Sequence, residues 1–183
     1  ETFPRHFILS MSTAPSASFP VKLNVYDLTG FDTSGTIKRM LQQVVPGLEG
    51  IWHTGIVVYG IEYFYGGGLL QGVPGMTPYG IPTTSVDLGT TEITKDVFDA
   101  FVEEMKEKYT MNNYDLFDNN CNHFTNDASQ FLTGNPIPSY ISDLPRQFTQ
   151  SPMGVMLMPM IRQFTQNMAM DPNNIQGNMD NIM

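Results

Sequence analysis

Two apolar runs separated by one glycine constrain the fold of this chain more than any other feature. Residues 52–59 and 61–65 are rich in β-branched and aromatic side chains, and Gly60 stands between them. This pattern predicts a β-hairpin whose first strand begins at His53. Residues 21–27 alternate apolar and polar side chains, which predicts a further half-buried strand.

The remaining chain predicts a short strand at 84–88 and several helices. Three segments have apolar residues at helical spacing and a signal at one end: 37–45 capped by Ser34 or Thr36, 97–109 capped by Thr94, and 121–132 ended by Gly134. Glycines and prolines from 66 to 82 predict a loop without regular structure. Strands combined with helices predict an α+β fold.

The length predicts one domain, since 183 residues with 41% hydrophobic content build one core comfortably. Residues 1–19 are expected to be an N-terminal extension, whose first ten residues are vector-derived because Met11 resembles a natural start. The folded domain is predicted at 20–150. Residues 151–183 are expected to hold a Met-rich helix that starts at Ser151 and Pro152 and is interrupted by Pro159, then a flexible Met/Asn-rich tail.

Charge and cysteine content exclude several classes of function. A net charge of −9 without a basic cluster argues against a nucleic-acid partner. One cysteine permits no intramolecular disulfide, which favours a reducing compartment, so we expect a cytoplasmic protein with a nuclear fraction as an option. No apolar run approaches the ~20 residues that span a bilayer, and no signal peptide is evident, so no membrane span is expected.

The single cysteine, Cys121, is the candidate nucleophile. It follows an asparagine-rich stretch and begins a predicted helix, where unpaired N–H groups and the helix dipole favour the thiolate. The alternative is a buried hydrophobic role, because Cys121 shares an apolar helix face with Phe124 and Ala128. Both interpretations stay open from the residue alone.

The candidate base is His53, at the start of a predicted buried strand. Its alternative is a structural histidine at a strand edge, but a Cys/His pair on separate elements is typical of thiol hydrolases. His123 follows Cys121 by two helical positions and points about 200° away around the axis, so we expect it to be structural. One cysteine and two histidines in the folded part show no ligand spacing, so no metal and no cofactor are expected.

Gly66, Gly67 and Gly68 form a glycine triplet after the hairpin. A phosphate cradle is disfavoured, because no G-x-G-x-x-G or G-K-[ST] pattern opens a helix after it. The glycines either let a substrate backbone pass close by or serve turn formation alone, and turn formation is the simpler interpretation.

Several motifs together resemble the PPPDE family of deSUMOylating isopeptidases. They are Val21-Lys22-Leu23 with Tyr26-Asp27-Leu28, Glu49-Gly50-Ile51-Trp52-His53-Thr54, Asn120-Cys121-Asn122 with Phe124, Phe131-Leu132-Thr133-Gly134, and Ile137-Pro138-Ser139-Tyr140-Ile141 with Asp143-Leu144-Pro145. The resemblance extends over roughly 20–150. It implies a circularly permuted papain-like thiol peptidase, with a small antiparallel sheet packed against helices and the histidine ahead of the cysteine.

The resemblance also implies how the residues act. Cys121 and His53 match the catalytic dyad, which removes a SUMO-type modifier, or ubiquitin, from lysine through a thioester. The Cys121 N–H is the first oxyanion candidate and Asn120 a weaker one, with turn formation as its alternative role. Trp52 and the glycine triplet are groove candidates, and Trp52 has a core role as its alternative. A homodimer is implied as well.

Two other functions remain open at this level. The same dyad serves an S-depalmitoylating thioesterase, which needs an apolar slot beside Cys121. A non-catalytic adaptor for modifier binding or nuclear transport is the third possibility, and its mark, a broken dyad, is absent from the sequence.

Overall fold

A computed structural model describes residues 17–31, 35–159 and 162 of this chain. The described strands are β1 (Phe19–Asp27), β2 (Trp52–Val58), β3 (Ile61–Gly66), β4 (Gly68–Gly72) and β5 (Thr84–Thr91). The described helices are α1 (Thr36–Val44), α2 (Lys95–Met105), α3 (Cys121–Thr133), α4 (Ser139–Ser142) and α5 (Leu144–Gln150). Single 3-10 turns cover Leu28–Phe31 and Met111–Asn113, and residues 152–159 are helical.

The strands form one antiparallel sheet in the order β4-β3-β2-β1-β5. Leu23 pairs with Ile56 and Val25 with Thr54, and all four side chains are fully buried. Because side chains alternate between the faces of a strand, these residues form one face, which packs against α3. Their neighbours along each strand, His53 among them, belong to the opposite face.

Hydrophobic packing divides into two clusters of buried side chains. The larger one fills the space between the sheet, α2 and α3, and includes Phe98 and Phe124. The smaller cluster joins α1 and α5 to the segment before α3, and it consists of Leu41, Val44, Val45, Leu48, Phe117, Leu144 and Phe148. The chain that leads into Cys121 is therefore supported by packing of its own.

The ends of β2 and β3 separate on the side of the sheet where α3 begins. The last pair between the two strands is Gly55 with Phe64, although β2 starts at Trp52 and β3 continues to Gly66. Main-chain groups of β2 ahead of Gly55 are thus free of β3. The candidate site lies at this end of β2, where the two strands separate.

The predicted hairpin and the α+β class are confirmed, but the loop predicted at 66–82 is wrong in part. Residues 68–72 form β4, which pairs along β3 from Glu62 with Gly72 to Gly66 with Gly68. The bend at Gly67 is tight enough to reverse the chain, and an edge strand needs main-chain pairing on one side only. Its leucines are half-exposed or exposed, so the sequence carries no buried-strand pattern there.

Helix boundaries agree with prediction at α3 and differ at α1 and α2. Gly134 ends α3 in the left-handed conformation, with φ at 75°, as predicted. Gly35 occupies the N-cap position of α1, so the predicted cap at Thr36 is wrong, and Ser34 lies outside the described residues. Thr94 is the N-cap of α2, without a side-chain hydrogen bond, and α2 ends earlier than predicted.

The chain after α5 is helical from Pro152, as predicted. Pro159 is itself helical, so the helix is not interrupted before it. The predicted tail from about 165 and the first 16 residues of the predicted extension lie outside the described residues. Within the described part of the chain, no helix has the length and hydropathy needed to cross a membrane.

Candidate active site

Cys121 is the first residue of α3, and the asparagine before it starts the helix. Asn120 Oδ1 accepts the N–H groups of Asn122 at 2.9 Å and His123 at 3.2 Å. In return, the Asn120 N–H donates to His123 Nδ1 at 3.2 Å, which completes a capping box. The structural role predicted for His123 is thereby confirmed. The cap fixes the direction of the first helical turn, which carries the thiol.

Asn122 fastens this first turn to β2 on both sides of His53. Its Nδ2 donates to the Trp52 carbonyl at 3.0 Å, and its Oδ1 accepts the Thr54 hydroxyl at 2.8 Å. The N–H of Thr54, which β3 no longer reaches, faces the Cys121 sulfur. The roles of Asn122 and Thr54 were not predictable from sequence, although the asparagine-rich stretch was a signal for Asn122. Cys121 and His53, the two residues predicted to form the dyad, are therefore held at the same end of β2.

The His53 ring lies against aromatic side chains on the outer face of the sheet. Tyr79 stacks on it with ring centroids 3.5 Å apart, while Tyr26 and Phe64 stand at 5.8 Å and 6.0 Å. His53 is 1% exposed, and its Nε2 is buried without a hydrogen-bond partner among the described residues. The Cys121 thiol, 3% exposed, donates to Asn122 Oδ1 at 3.6 Å rather than to His53. Both side chains are buried, and the contact predicted between them is not made in this conformation.

Burial sets the protonation state of both groups. It raises the pKa of the Cys121 thiol to about 11, although the N–H groups of Thr54 and Asn122 and the Tyr114 hydroxyl partly offset the effect. Burial also lowers the pKa of His53 to about 3. Both side chains are therefore neutral at pH 7. The expectation that the helix start favours a thiolate is wrong for this conformation, because desolvation outweighs the local N–H groups.

Comparison with known proteins decides the family. A family model described as "PPPDE putative peptidase domain" matches residues 19–162. The chain belongs to the PPPDE peptidase family. The papain-like class predicted for the fold is confirmed by this membership together with the five-stranded antiparallel sheet packed against helices.

Relatives of the PPPDE domain carry a more specific name. Desumoylating isopeptidase 1 of Homo sapiens is 44% identical over 151 residues, which cover 80% of this chain and 87% of that protein. The protein of the same name from Xenopus laevis is 42% identical over 145 residues, covering 77% and 83%. A Desumoylating isopeptidase 1 homolog of Caenorhabditis elegans is 33% identical over 134 residues, covering 68% of this chain and 37% of that protein.

An apolar slot of about 50 Å³ lies beside Cys121 in the PPPDE domain. Its lining includes Ile51, Trp52, Leu116, Phe117 and Leu144. Trp52, the predicted groove residue, thus borders the slot, and its ring also packs edge-on against Tyr140 at 6.1 Å. The slot lies on the Trp52 side of the thiol, and His53 is not part of its lining.

The other predicted site residues take different positions in the PPPDE domain. Asn120 uses its Nδ2 to donate to the Leu116 carbonyl, which favours its turn-forming role over that of an oxyanion donor. The Cys121 N–H is in the first helical turn, where N–H groups lack intrahelical acceptors. Of the glycine triplet, Gly66 approaches the site, since a methyl group there would stand 2.8 Å from the Tyr79 hydroxyl oxygen. Gly67 and Gly68 form the turn into β4. Among residues 17–31, 35–159 and 162, no three metal-ligating side chains cluster.

The buried imidazole predicts a specific dependence of stability on pH. Because the folded pKa of His53 is lowered from 6.5 to about 3, the unfolded chain binds the extra proton between these values. The contribution of neutral His53 to the free energy of unfolding is therefore complete above pH 6.5. It is lost as pH falls, by about 1.4 kcal/mol per pH unit. Between about pH 7.5 and about pH 4.5, wild type should lose roughly 3 kcal/mol more than His53→Gln in urea unfolding. If the unfolding free energies of the two proteins fell in parallel with pH, the lowered pKa of His53 would be contradicted.

Proposed function

We propose that this chain is a cysteine isopeptidase that removes a SUMO-type modifier from lysine side chains, with Cys121 as nucleophile and His53 as acid and base. Family membership and the name of the human and frog relatives support the proposal. The observation that carries it is the pair of hydrogen bonds that join Asn122 to β2, one donated to the Trp52 carbonyl and one accepted from the Thr54 hydroxyl, because they hold the thiol beside the strand that bears the imidazole.

The reaction follows from these two groups. Cys121 transfers its proton to His53, and the thiolate attacks the carbonyl carbon of the isopeptide bond. The C–N bond then breaks, the lysine amine takes the proton from the imidazolium, and a thioester remains on Cys121. His53 next accepts a proton from water, whose oxygen attacks the thioester. The C–S bond then breaks, and the imidazolium returns its proton to the Cys121 sulfur, which restores the thiol. The free modifier leaves as a carboxylic acid, which loses its proton to solvent. The N–H of Cys121 is the proposed donor to the oxyanion of both steps.

Burial of both side chains in this conformation implies that substrate entry activates the dyad. With a thiol pKa of about 11 and an imidazole pKa of about 3, proton transfer between the two groups is strongly unfavourable as long as both stay dry. A modifier tail that enters between Cys121 and His53 brings polar groups and water to both side chains. The pKa values then move toward each other, and the ion pair forms where it is used.

A modifier with an electrophilic C-terminus tests the proposal directly. SUMO carrying a C-terminal vinyl sulfone should form a covalent adduct, with peptide mapping placing the bond at Cys121. Cys121→Ala should form none, and His53→Gln should react far more slowly. A matched ubiquitin probe measures modifier preference. If the wild-type protein forms an adduct with neither probe, and a SUMO–lysine conjugate also stays intact, the proposed activity is wrong.

The apolar slot favours an S-depalmitoylating thioesterase as the second candidate function. Its lining is almost entirely carbon, which suits an acyl chain. Its size argues the other way, because about 50 Å³ corresponds to roughly four water-sized groups, well short of a palmitoyl chain. Turnover of a palmitoyl-thioester probe without any cleavage of SUMO or ubiquitin conjugates would reverse the ranking.

Three further expectations stay predictions. The homodimer follows from the family resemblance alone. The cytoplasmic location with a nuclear fraction rests on the single cysteine, and the lack of a nucleic-acid partner rests on the acidic charge.

A further inference from the structure

Glu62 is a fully buried carboxylate on the same face of the sheet as His53. Its Oε1 accepts the Tyr26 hydroxyl at 2.8 Å, and its Oε2 accepts Asn24 Nδ2 at 2.9 Å and the Gly75 N–H at 2.8 Å. None of these partners carries a positive charge. Because an unpaired buried carboxylate is costly, three donors at this distance show a position built to hold it.

The main chain of β2 lies directly against the carboxylate. A methyl group at Gly55 on β2 would lie 2.3 Å from Glu62 Oε1. The carboxylate therefore packs directly over the β2 main chain, two residues from His53. From this position it makes hydrogen bonds to two separate segments that contact the imidazole.

The first connection is through Tyr26. This residue pairs with His53 across β1 and β2, so the two rings project side by side from the same face. The hydrogen bond from the Tyr26 hydroxyl to Glu62 fixes the direction of its ring, whose centroid is 5.8 Å from the imidazole.

The second connection is through the loop that carries Tyr79. Glu62 holds this loop at Gly75, and the Thr83 N–H holds its far end by donating to the Val25 carbonyl at 2.8 Å. Tyr79 lies between these two anchors and stacks on His53 with an interplanar angle of 22°. The loop end at Gly75 thus depends on the same carboxylate as Tyr26.

The imidazole itself has no polar residue that orients it through Nε2 among the described residues. Its ring is in contact with aromatic side chains, with Tyr79 stacked on it and Tyr26 beside it. We propose that Glu62 is the positioning residue for His53, acting through the Tyr26 and Tyr79 rings that its hydrogen bonds hold in place. The inference rests on the proposed function for its consequence, since a misplaced imidazole delivers protons poorly to and from Cys121.

Two substitutions at Glu62 separate the effect of its hydrogen bonds from that of filling its space. Glu62→Met keeps an unbranched side chain of similar length but removes all acceptors, so kcat should fall about 10- to 100-fold with KM changed little. Glu62→Gln keeps an oxygen for Asn24 and Gly75, and its amide can donate to the Tyr26 hydroxyl oxygen, so it should stay within about threefold of wild type. Glu104→Met, on the exposed side of α2, is the matched control and should not change kcat.

Tyr79 provides a second pair of variants, for use also if Glu62→Met does not fold. Tyr79→Phe keeps the stacked ring and should keep kcat, whereas Tyr79→Ala removes the ring and should lower kcat about tenfold. The ring protons of His53, identified by their loss in His53→Gln, should show the upfield NMR shift of a stacked ring in wild type and Tyr79→Phe. That shift should be lost in Tyr79→Ala and reduced in Glu62→Met.

The NMR measurement needs no substrate, so it separates this inference from the proposed function. If wild type cleaves no conjugate but the His53 shifts follow the expected order, the activity is wrong and the positioning network stands. Unchanged His53 shifts in both Tyr79→Ala and folded Glu62→Met would overturn the inference. It is also overturned if folded Glu62→Gln is as slow as Glu62→Met, because the effect would then come from the charge.

Discussion

Replacing Cys121 by alanine should reduce cleavage of a SUMO–lysine conjugate by at least about 10³-fold, the largest effect on activity that we expect from any single substitution. The thiol is the only group at the start of α3 that can form the thioester. Replacing His53 by glutamine should cost nearly as much, because the thiol would then keep its proton. The double variant should be little slower than either single one, since the two residues act as a unit. Single-turnover assays with a labelled conjugate measure all three.

Loss of the fold must be separated from loss of the reaction in these variants. The cap of α3 uses Asn120 and His123 and not the thiol, so Cys121→Ala should keep its helical circular dichroism and cooperative unfolding. Gln130→Ala, exposed on the same helix, is the matched control and should cleave at the wild-type rate. Measurable turnover in Cys121→Ala above the background of the control would refute the nucleophile assignment.

Adding one methyl group at Gly55 should destabilise the protein by about 3–5 kcal/mol, the largest effect on stability that we expect. The new carbon would stand 2.3 Å from Glu62 Oε1 and within 3 Å of two more atoms of that side chain. Glu62 has three hydrogen-bonding partners and lies in the interior, so it can move only by leaving donors unpaired and its own charge uncompensated. Urea unfolding of Gly55→Ala against wild type measures the difference.

Gly72→Ala is the matched control for this substitution. Gly72 lies in β4 of the same sheet, and a methyl group there would meet nothing within 4 Å. Its free energy of unfolding should stay within about 0.5 kcal/mol of wild type. Equal stability of the Gly55→Ala and Gly72→Ala variants would show that the Glu62 carboxylate moves aside and is not held in place.

The parts of the fold with local signals were predictable from sequence. Gly60 between two apolar runs indicates the hairpin, and the asparagine before Cys121 and the glycine after Thr133 indicate the ends of α3. The same local patterns placed His53 at the start of β2. The strand β4 carries no such signal, because pairing of main-chain atoms with β3 creates it and its side chains stay largely exposed.

Burial was the property that local patterns could not supply. Glu62 lies between two apolar neighbours on β3, as a solvent-facing residue could, and residues from other elements enclose it: Asn24 and Tyr26 of β1, and the loop through Gly75. The same holds for Cys121, whose helix-start position suggested a thiolate while its surroundings from other elements raise its pKa to about 11. The role of Asn122 likewise depends on β2 lying opposite, a fact of tertiary structure.

Because Thr54 and His53 lie on opposite faces of β2, their side-chain directions depend on the exact number of residues in the strand. Thr54 binds the helix that bears the thiol, and the next residue back carries the imidazole to the other side. A single-residue insertion or deletion inside β2 would exchange these directions, sending the ring into the apolar interior and the hydroxyl outward. Length changes in the surrounding loops leave this parity intact. The arrangement therefore tolerates variation in its connections but none in the spacing of a few consecutive strand residues.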